Sequence, residues 1–178
     1  QDNLQSRCPD LFNLAEYVLE NANKNPTKKA LEIISKFSNY SISFEELKSR
    51  VLKTGNALIK LGLNRNDKIL LRLDNTVTFP IAYLGAISVG IIPVPTSINL
   101  TEYELMELVK ILQPEAIITS KPLSINLGNM KIISETEIKK LSFEGDEANF
   151  ERGDPDRLAY IVFTSGTSNK PRAVLHAH

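Results

Sequence analysis

Apolar residues recur at two different periods along this chain, and the change of period divides it. Leu11, Leu14, Ala15, Val18, Leu19 and Ala22 fall at helical spacing, Asn13 and Glu16 stand as a capping pair, and Pro26 stops the run. The spacing predicts one helix over this stretch. Two short extended pieces follow, Ala30 to Ile34 and Tyr40 to Ile42, parted by Ser38 and Asn39 as in an antiparallel hairpin. Ser43 and Glu46 then cap a second helix with Leu47, Val51, Leu58 and Leu61 as its apolar stripe and Gly62 at its end.

From residue 67 onward strands and helices alternate. Ile69 to Leu73 reads as a strand, Phe79 to Val89 as a helix ending at Gly90, and Ile91 to Val94 as a strand. Thr101 and Glu104 cap a helix carrying Leu105, Leu108, Val109 and Leu112, which Pro114 terminates before the strand Ala116 to Thr119. Lys131 to Ile133 reads as a further strand and Glu135 to Leu141 as a short helix. Apolar strands joined by amphipathic helices pair in parallel through right-handed crossovers. The fold class expected is therefore α/β, a layered αβα arrangement around a largely parallel sheet. Three parts are expected: an α/β subdomain over 1–141, a polar, mostly acidic connection over 142–157, and a strand pair over 158–178. Asp154 and Asp156 in that connection could be offered as metal ligands, but Pro155 and the alternating charges read as a solvated linker.

The chemistry is concentrated at the far end. The apolar strand Leu158 to Phe163 runs into Thr164-Ser165-Gly166-Thr167-Ser168-Asn169-Lys170-Pro171-Arg172, followed by the apolar run Ala173 to Leu175. Hydroxyls and backbone N–H groups donate to phosphate oxygens, and Lys170 and Arg172 supply the positive charge a polyphosphate needs. A phosphate-holding loop is one reading; an ordinary Ser/Thr-rich hairpin turn is the other. A Walker A loop is excluded, since Pro171 and Arg172 stand where its second glycine and lysine belong.

The order of these residues resembles the phosphate-loop signature of the adenylate-forming superfamily: acyl-CoA synthetases, peptide-synthetase adenylation domains and luciferases. There, an aromatic-Thr-Ser-Gly-Thr-Thr-Gly-x-Pro-Lys-Gly-Val string is typical. Val174 falls on the family's Val, and His178 on the His of a following Val-x-x-Thr-His pattern, with Ala177 in place of Thr. Asn169, Arg172 and Ala173 replace Gly, Lys and Gly. Asn tolerates left-handed backbone angles, Arg keeps the charge with a different geometry, and Ala173 is harmless only in an extended backbone. Leu84-Gly85-Ala86-Ile87-Ser88-Val89-Gly90-Ile91-Ile92-Pro93-Val94-Pro95 is similar to another family segment, so the resemblance spans nearly the whole chain. Without any ligand, these glycines read as sites of close helix–strand packing.

The resemblance implies the N-terminal part of the large domain of an acyl-CoA synthetase-like fold. It implies a carboxylate attacking the α-phosphorus of Mg-ATP, with pyrophosphate leaving and a thiol such as coenzyme A then taking the acyl group. Thr164, Ser165, Gly166, Thr167, Ser168, Asn169, Lys170 and Arg172 would hold the phosphates, Thr164 or Thr167 would reach Mg²⁺, and His178 would lie near the acyl pocket or behind the loop. The family's adenine-stacking aromatic, magnesium-binding Glu, ribose-binding Asp, hinge and C-terminal catalytic Lys lie beyond these residues. The chain is thus expected to be an N-terminal fragment that is inactive alone, with no catalytic residue of its own. A nucleotide-sensing relative without turnover, a phosphotransferase releasing ADP, and a structural protein binding no nucleotide remain as alternatives.

Charge and composition narrow the partners. The 178 residues are 42% hydrophobic, with 21 basic and 21 acidic side chains. This balance argues against a nucleic-acid or membrane-surface binder. Cys8 is the single cysteine, which rules out an internal disulfide and fits a cytoplasmic location. His176 and His178 alternate as a metal pair would, but there is no third His, and a structural or substrate-lining role fits better. No apolar run reaches the ~18 residues of a spanning helix, and no signal peptide is visible. Leu158 to Phe163 is apolar on both faces, suiting a sheet covered on two sides; with cover missing, self-association is expected.

Overall fold

The alternation from residue 67 onward becomes a parallel sheet in the computed structural model, which describes residues 9–34, 39–165 and 171–178. Strands β3 (Lys68–Arg72), β4 (Ile92–Pro95), β5 (Ala116–Thr119) and β6 (Lys131–Ser134) form one four-stranded sheet in the order β4-β3-β5-β6. All three pairings are parallel, with Leu70 opposite both Val94 and Ile117, and Ile118 opposite Ile133. Helices α3 (Phe44–Lys60), α4 (Thr78–Ser88) and α6 (Glu135–Leu141) cover one face, where Ile69, Leu71 and Ile118 meet Leu58, Ala82, Ala86 and Ile138. Helix α5 (Glu102–Leu112) covers the other, where Leu70, Val94 and Ile117 meet Leu105 and Leu112. β3, β4 and β5 are buried on both faces, as inner strands of a parallel sheet must be, while the edge strand β6 buries Ile133 and leaves Ile132 exposed.

The N-terminal part builds a second core. Instead of the single helix expected over residues 11–22, the chain forms two short ones, α1 (Leu14–Val18) and α2 (Asn21–Lys24). The apolar period overstated that helix, because Leu11 and Val18 are exposed and only Ala15, Leu19 and Ala22 bury. The hairpin β1 (Lys29–Ile34) and β2 (Asn39–Ser43) pairs antiparallel, as its pattern predicts. Ala15, Leu19, Ile42, Leu47 and Val51 pack together against Val77, Ile81, Leu84 and Ile87 of the α4 region.

Helix ends follow the local chemistry. The Thr101 hydroxyl accepts from Glu104 N–H at 3.2 Å while the Glu104 carboxylate accepts from Thr101 N–H at 2.8 Å, a complete capping box. At Ser43 only the forward half forms: Glu46 N–H reaches the Ser43 hydroxyl, but the Glu46 carboxylate turns to Tyr40 and Arg50. Gly85 is where α3 and α4 touch. A Cβ there would stand 2.9 Å from Thr54 Cγ2 and 3.1 Å from the Val51 carbonyl, so the expected close helix–strand packing is a helix–helix approach.

The last two strands, β7 (Leu158–Ser165) and β8 (Pro171–Ala177), form an antiparallel pair, with β7 lying beside β4. Ile161 and Phe163 enter the α5-side core, while Tyr160 packs against the N-terminal core, so both faces of β7 are covered. On β8, Val174 and Leu175 remain exposed. The connection 142–157 is mostly exposed but held along α3. Arg50 Nε donates to the Ser142 hydroxyl at 3.2 Å, its guanidinium lies 4.0 Å over the Phe143 ring, and Ala148 N–H donates to the Leu52 carbonyl at 3.1 Å.

Candidate functional site

The strand pair β7–β8 frames the hydroxyl-rich segment. In the ladder, Phe163 stands opposite Ala173, Thr164 opposite Arg172 and Ser165 opposite Pro171. The two apolar runs, seen in the sequence as flanks of the segment, thus become the two sides of one hairpin. This brings Arg172 across from Thr164, eight positions earlier, with its side chain exposed. Gly166, Thr167, Ser168, Asn169 and Lys170 lie outside the described residues. Ala173 sits in extended β8, and the left-handed non-glycine residues described are Asn66 and Gln113, so replacing glycine at 173 strains nothing there.

Behind the hairpin is a row of rings that periodicity did not reveal. His176 stacks on Tyr160 with centroids 4.5 Å apart and planes 8° from parallel. Tyr160 meets the edge of Tyr83 at 5.6 Å, and Tyr83 stacks on Phe79 at 6.0 Å. Burial, and then the neighbouring Tyr160, push the Tyr83 phenol well above its usual range, so it stays protonated. The only sequence signal for this row was the aromatic character at positions 79, 83 and 160, since its members come from α4, β7 and β8.

His178 is tied to the N-terminal helices. Leu14 N–H donates to its Nδ1 at 3.0 Å, and its own N–H donates to the Arg157 carbonyl at 3.2 Å. The acceptor role at Nδ1 places the ring proton on Nε2. Burial, followed by the positive charges of Arg157 and Arg65, pushes its pKa down to about 4, so the imidazole is neutral near pH 7. His176 and His178 do not converge as a metal pair. Among the described residues no group of three His, Cys, Asp or Glu side chains is placed to hold a metal. Asp154 instead builds a turn, its carboxylate accepting from Asp156 N–H at 2.9 Å.

A polar knot fixes the approach to β7. Asn13, 1% exposed, caps α1 through its carbonyl oxygen, and its amide donates to the carbonyls of Ile87, Ser88 and Glu151. The Arg65 guanidinium pairs with Glu151 at 2.6 Å, and Arg157 donates to the carbonyls of Phe12, Asp154 and Glu151. Burial, aided by the Arg65 charge, lowers the pKa of the Arg157 guanidinium against the opposing pull of Glu151 and Asp154. Glu16 pairs with Arg152, whose hydrogen bond holds the carboxyl below its usual range. These contacts join residues far apart in sequence, and only the capping role of Asn13 was legible beforehand.

The hydroxyl-rich segment between two antiparallel strands, beside a parallel sheet covered on both faces, is shared with known proteins. The model of the AMP-binding enzyme family matches residues 18–178, and the chain belongs to that family. It is 29% identical over 160 residues to a 4-hydroxybenzoate–CoA/benzoate–CoA ligase of Rhodopseudomonas palustris, covering 78% of this chain and 29% of that protein. It is 30% identical over 165 residues to a plipastatin synthase component of Bacillus subtilis, covering 89% of this chain and 6% of that one. The chain therefore spans less than a third of either relative. Its fold matches the N-terminal subdomain of Klebsiella oxytoca NpsA in complex with 3-hydroxybenzoyl-AMSN. The TM-score is 0.82 at 20% identity, over 93% of this chain and 41% of that one. No helix among the described residues is long and apolar enough to cross a membrane.

Proposed function

We propose that these residues serve an ATP-dependent ligase that activates a carboxylic acid as its acyl-adenylate and then forms a thioester, with coenzyme A as the acceptor. The observation that carries this reading is the β7–β8 ladder, which sets Arg172 opposite Thr164 at the mouth of the hydroxyl-rich segment, in a chain of the AMP-binding family. The chemistry is a problem of charge, since an anionic carboxylate must meet ATP and the leaving pyrophosphate must be held as negative charge builds on it.

The donors of Thr164, Ser165, Gly166, Thr167, Ser168, Asn169, Lys170 and Arg172 suit phosphate oxygens, and Thr164 or Thr167 suits Mg²⁺. That ion, when bound, neutralises phosphate charge. Neutral His178 orients the end of β8 through its bond to Leu14 N–H, beside the Leu158–Ala177 end of the ladder and away from the Ser165–Pro171 end that carries the hydroxyl-rich segment, so it serves the hairpin's base rather than the phosphates. Residues 1–178 alone do not complete the reaction, because a phosphate loop without the nucleoside-binding half has little affinity for ATP. The exposed Val174 and Leu175 favour self-association of this chain when isolated.

The test is acid-dependent exchange of labelled pyrophosphate into ATP by the complete protein, with benzoates, aliphatic acids and amino acids in the panel. Exchange with one class is expected, falling about 10²-fold in Lys170→Ala, as for loss of one transition-state donor. Thioester formation on adding coenzyme A, rather than a carrier protein, identifies the acceptor. ATP binding without exchange for any acid would overturn the ligase reading in favour of a nucleotide-binding relative without turnover.

A further inference from the structure

The four-stranded sheet has a second feature of ligand sites, away from the β7–β8 hairpin. Its order, β4-β3-β5-β6, places β3 between the two strands that follow it. Helix α4, leading from β3 to β4, lies on one face, and α5, leading from β4 to β5, lies on the other. The connection from β5 to β6 also lies on the α5 face, where Leu123, Ile125 and Leu127 pack, so the chain leaves the adjacent carboxyl ends of β3 and β5 toward opposite faces. In open α/β sheets that divergence leaves a crevice where ligands bind.

Arg72 is the last residue of β3 and stands in register with Thr119, the last of β5. It is 6% exposed. Its one hydrogen bond among the described residues runs from Nη2 to the Leu100 carbonyl at 3.1 Å, in the connection from β4 to α5. Nε and Nη1 are buried with no acceptor, and no carboxylate among the described residues pairs with this guanidinium. Arginine does not shed its proton to escape burial. A buried cation lacking a counter-charge is costly. Arg50 makes the contrast: equally buried and with only Nη2 lacking an acceptor, it is met by Ser142, Tyr40, the Glu46 carboxylate and the Phe143 ring. The rim at Arg72 carries the hydroxyls of Thr96 and Ser120 and the charges of Asp74 and Lys121, with Asp74 N–H donating to Ser120 Oγ at 3.0 Å.

We propose that Arg72 is the anchor of a small-oxyanion subsite, for a phosphate or carboxylate group, at the crevice between the carboxyl ends of β3 and β5. The anion replaces the Leu100 carbonyl as acceptor, with residues 96–101 moving outward to admit it. This assignment is independent of the phosphate-loop reading, because it uses none of residues 164–172.

The experiment is thermal unfolding of the chain in potassium phosphate, potassium acetate and potassium chloride at matched ionic strength. It compares wild type, Arg72→Met and the double variant Lys170→Ala, Arg172→Ala. A saturable rise in Tm of about 2–4 °C in one or both oxyanions over chloride is expected for wild type. That rise persists in the double variant and is lost in Arg72→Met. Phosphate acting alone assigns a phosphate group, and acetate acting alone or equally assigns a carboxylate. No rise in wild type, or an undiminished rise in Arg72→Met, overturns the proposal. Should Arg72→Met fail to fold, the Arg72 Nε–H resonance of the wild-type chain decides. A saturable shift with oxyanion but not chloride supports the subsite, and an unmoved resonance refutes it.

Discussion

Asn13 offers a sharp test of how this fold is held, because two replacements should rank opposite to their usual order. Asp is as good a helix N-cap as Asn, and both exceed Ala. Here, though, the side chain has two jobs. Its oxygen accepts from Ala15 and Glu16 N–H at 3.0 and 3.2 Å, while its amide nitrogen donates to the carbonyls of Ile87, Ser88 and Glu151 at 3.0, 3.3 and 2.7 Å. Asn13→Ala removes a cap worth about 1 kcal/mol and the bonds of two amide N–H groups at about 1 kcal/mol each. The expected loss is about 3 kcal/mol, or about 6–12 °C in Tm for a domain of this size.

Asn13→Asp keeps the cap but turns a carboxylate oxygen toward three carbonyl oxygens at a position 1% exposed. An unpaired buried charge costs several kcal/mol, so at neutral pH the Asn13→Asp chain should be less stable than the Asn13→Ala chain. That burial raises the folded-state pKa of the new carboxyl above its unfolded value. The folded protein then holds the proton more tightly, and the deficit of Asn13→Asp shrinks as pH falls toward the ordinary carboxylate range. Urea or thermal unfolding followed by circular dichroism at pH 7.5 and 5 measures both effects. An Asn13→Asp chain as stable as wild type, or more stable than Asn13→Ala at pH 7.5, would refute the reasoning.

Two further outcomes follow from the same structure. Gly85→Ala sets a Cβ 3.1 Å from the Val51 carbonyl, where backbone must move; overpacking of about 1–3 kcal/mol outweighs about 1 kcal/mol of helix propensity, so a lowered urea midpoint is expected, and an unchanged one would show that α3 and α4 separate freely. For His178, the folded pKa of about 4 lies below the ordinary 6.5, so the unfolded chain binds the extra proton and stability falls as pH drops from 6.5 toward 4. In His178→Asn, which keeps an acceptor for Leu14 N–H without the titration, the fall between pH 6.5 and 5 should be smaller than in wild type; identical slopes would contradict it.

The division between what was legible and what was not follows the range of the interactions. Short-range chemistry wrote most of the elements: the capping pair Thr101 and Glu104, Gly62 at φ 84° closing the turn after α3, and the alternating apolar runs that became β3, β4 and β5. The ordered string around Gly166 carried the resemblance to the family that the chain belongs to, because such a signature lies in residues adjacent in sequence. The first helix was overread because spacing alone cannot show that Leu11 and Val18 have nothing to cover them. Tertiary structure alone decided the partners of the long polar side chains. Glu16 and Glu46 sit where capping boxes would use them, yet Arg152 and Arg50 claim their carboxylates. The ring row of Phe79, Tyr83, Tyr160 and His176, and the isolation of Arg72, likewise depend on which strands and helices come side by side. The backbone and its caps answer to neighbours a few residues away, whereas a buried charge answers to whatever the fold brings within about 4 Å, which local sequence cannot specify.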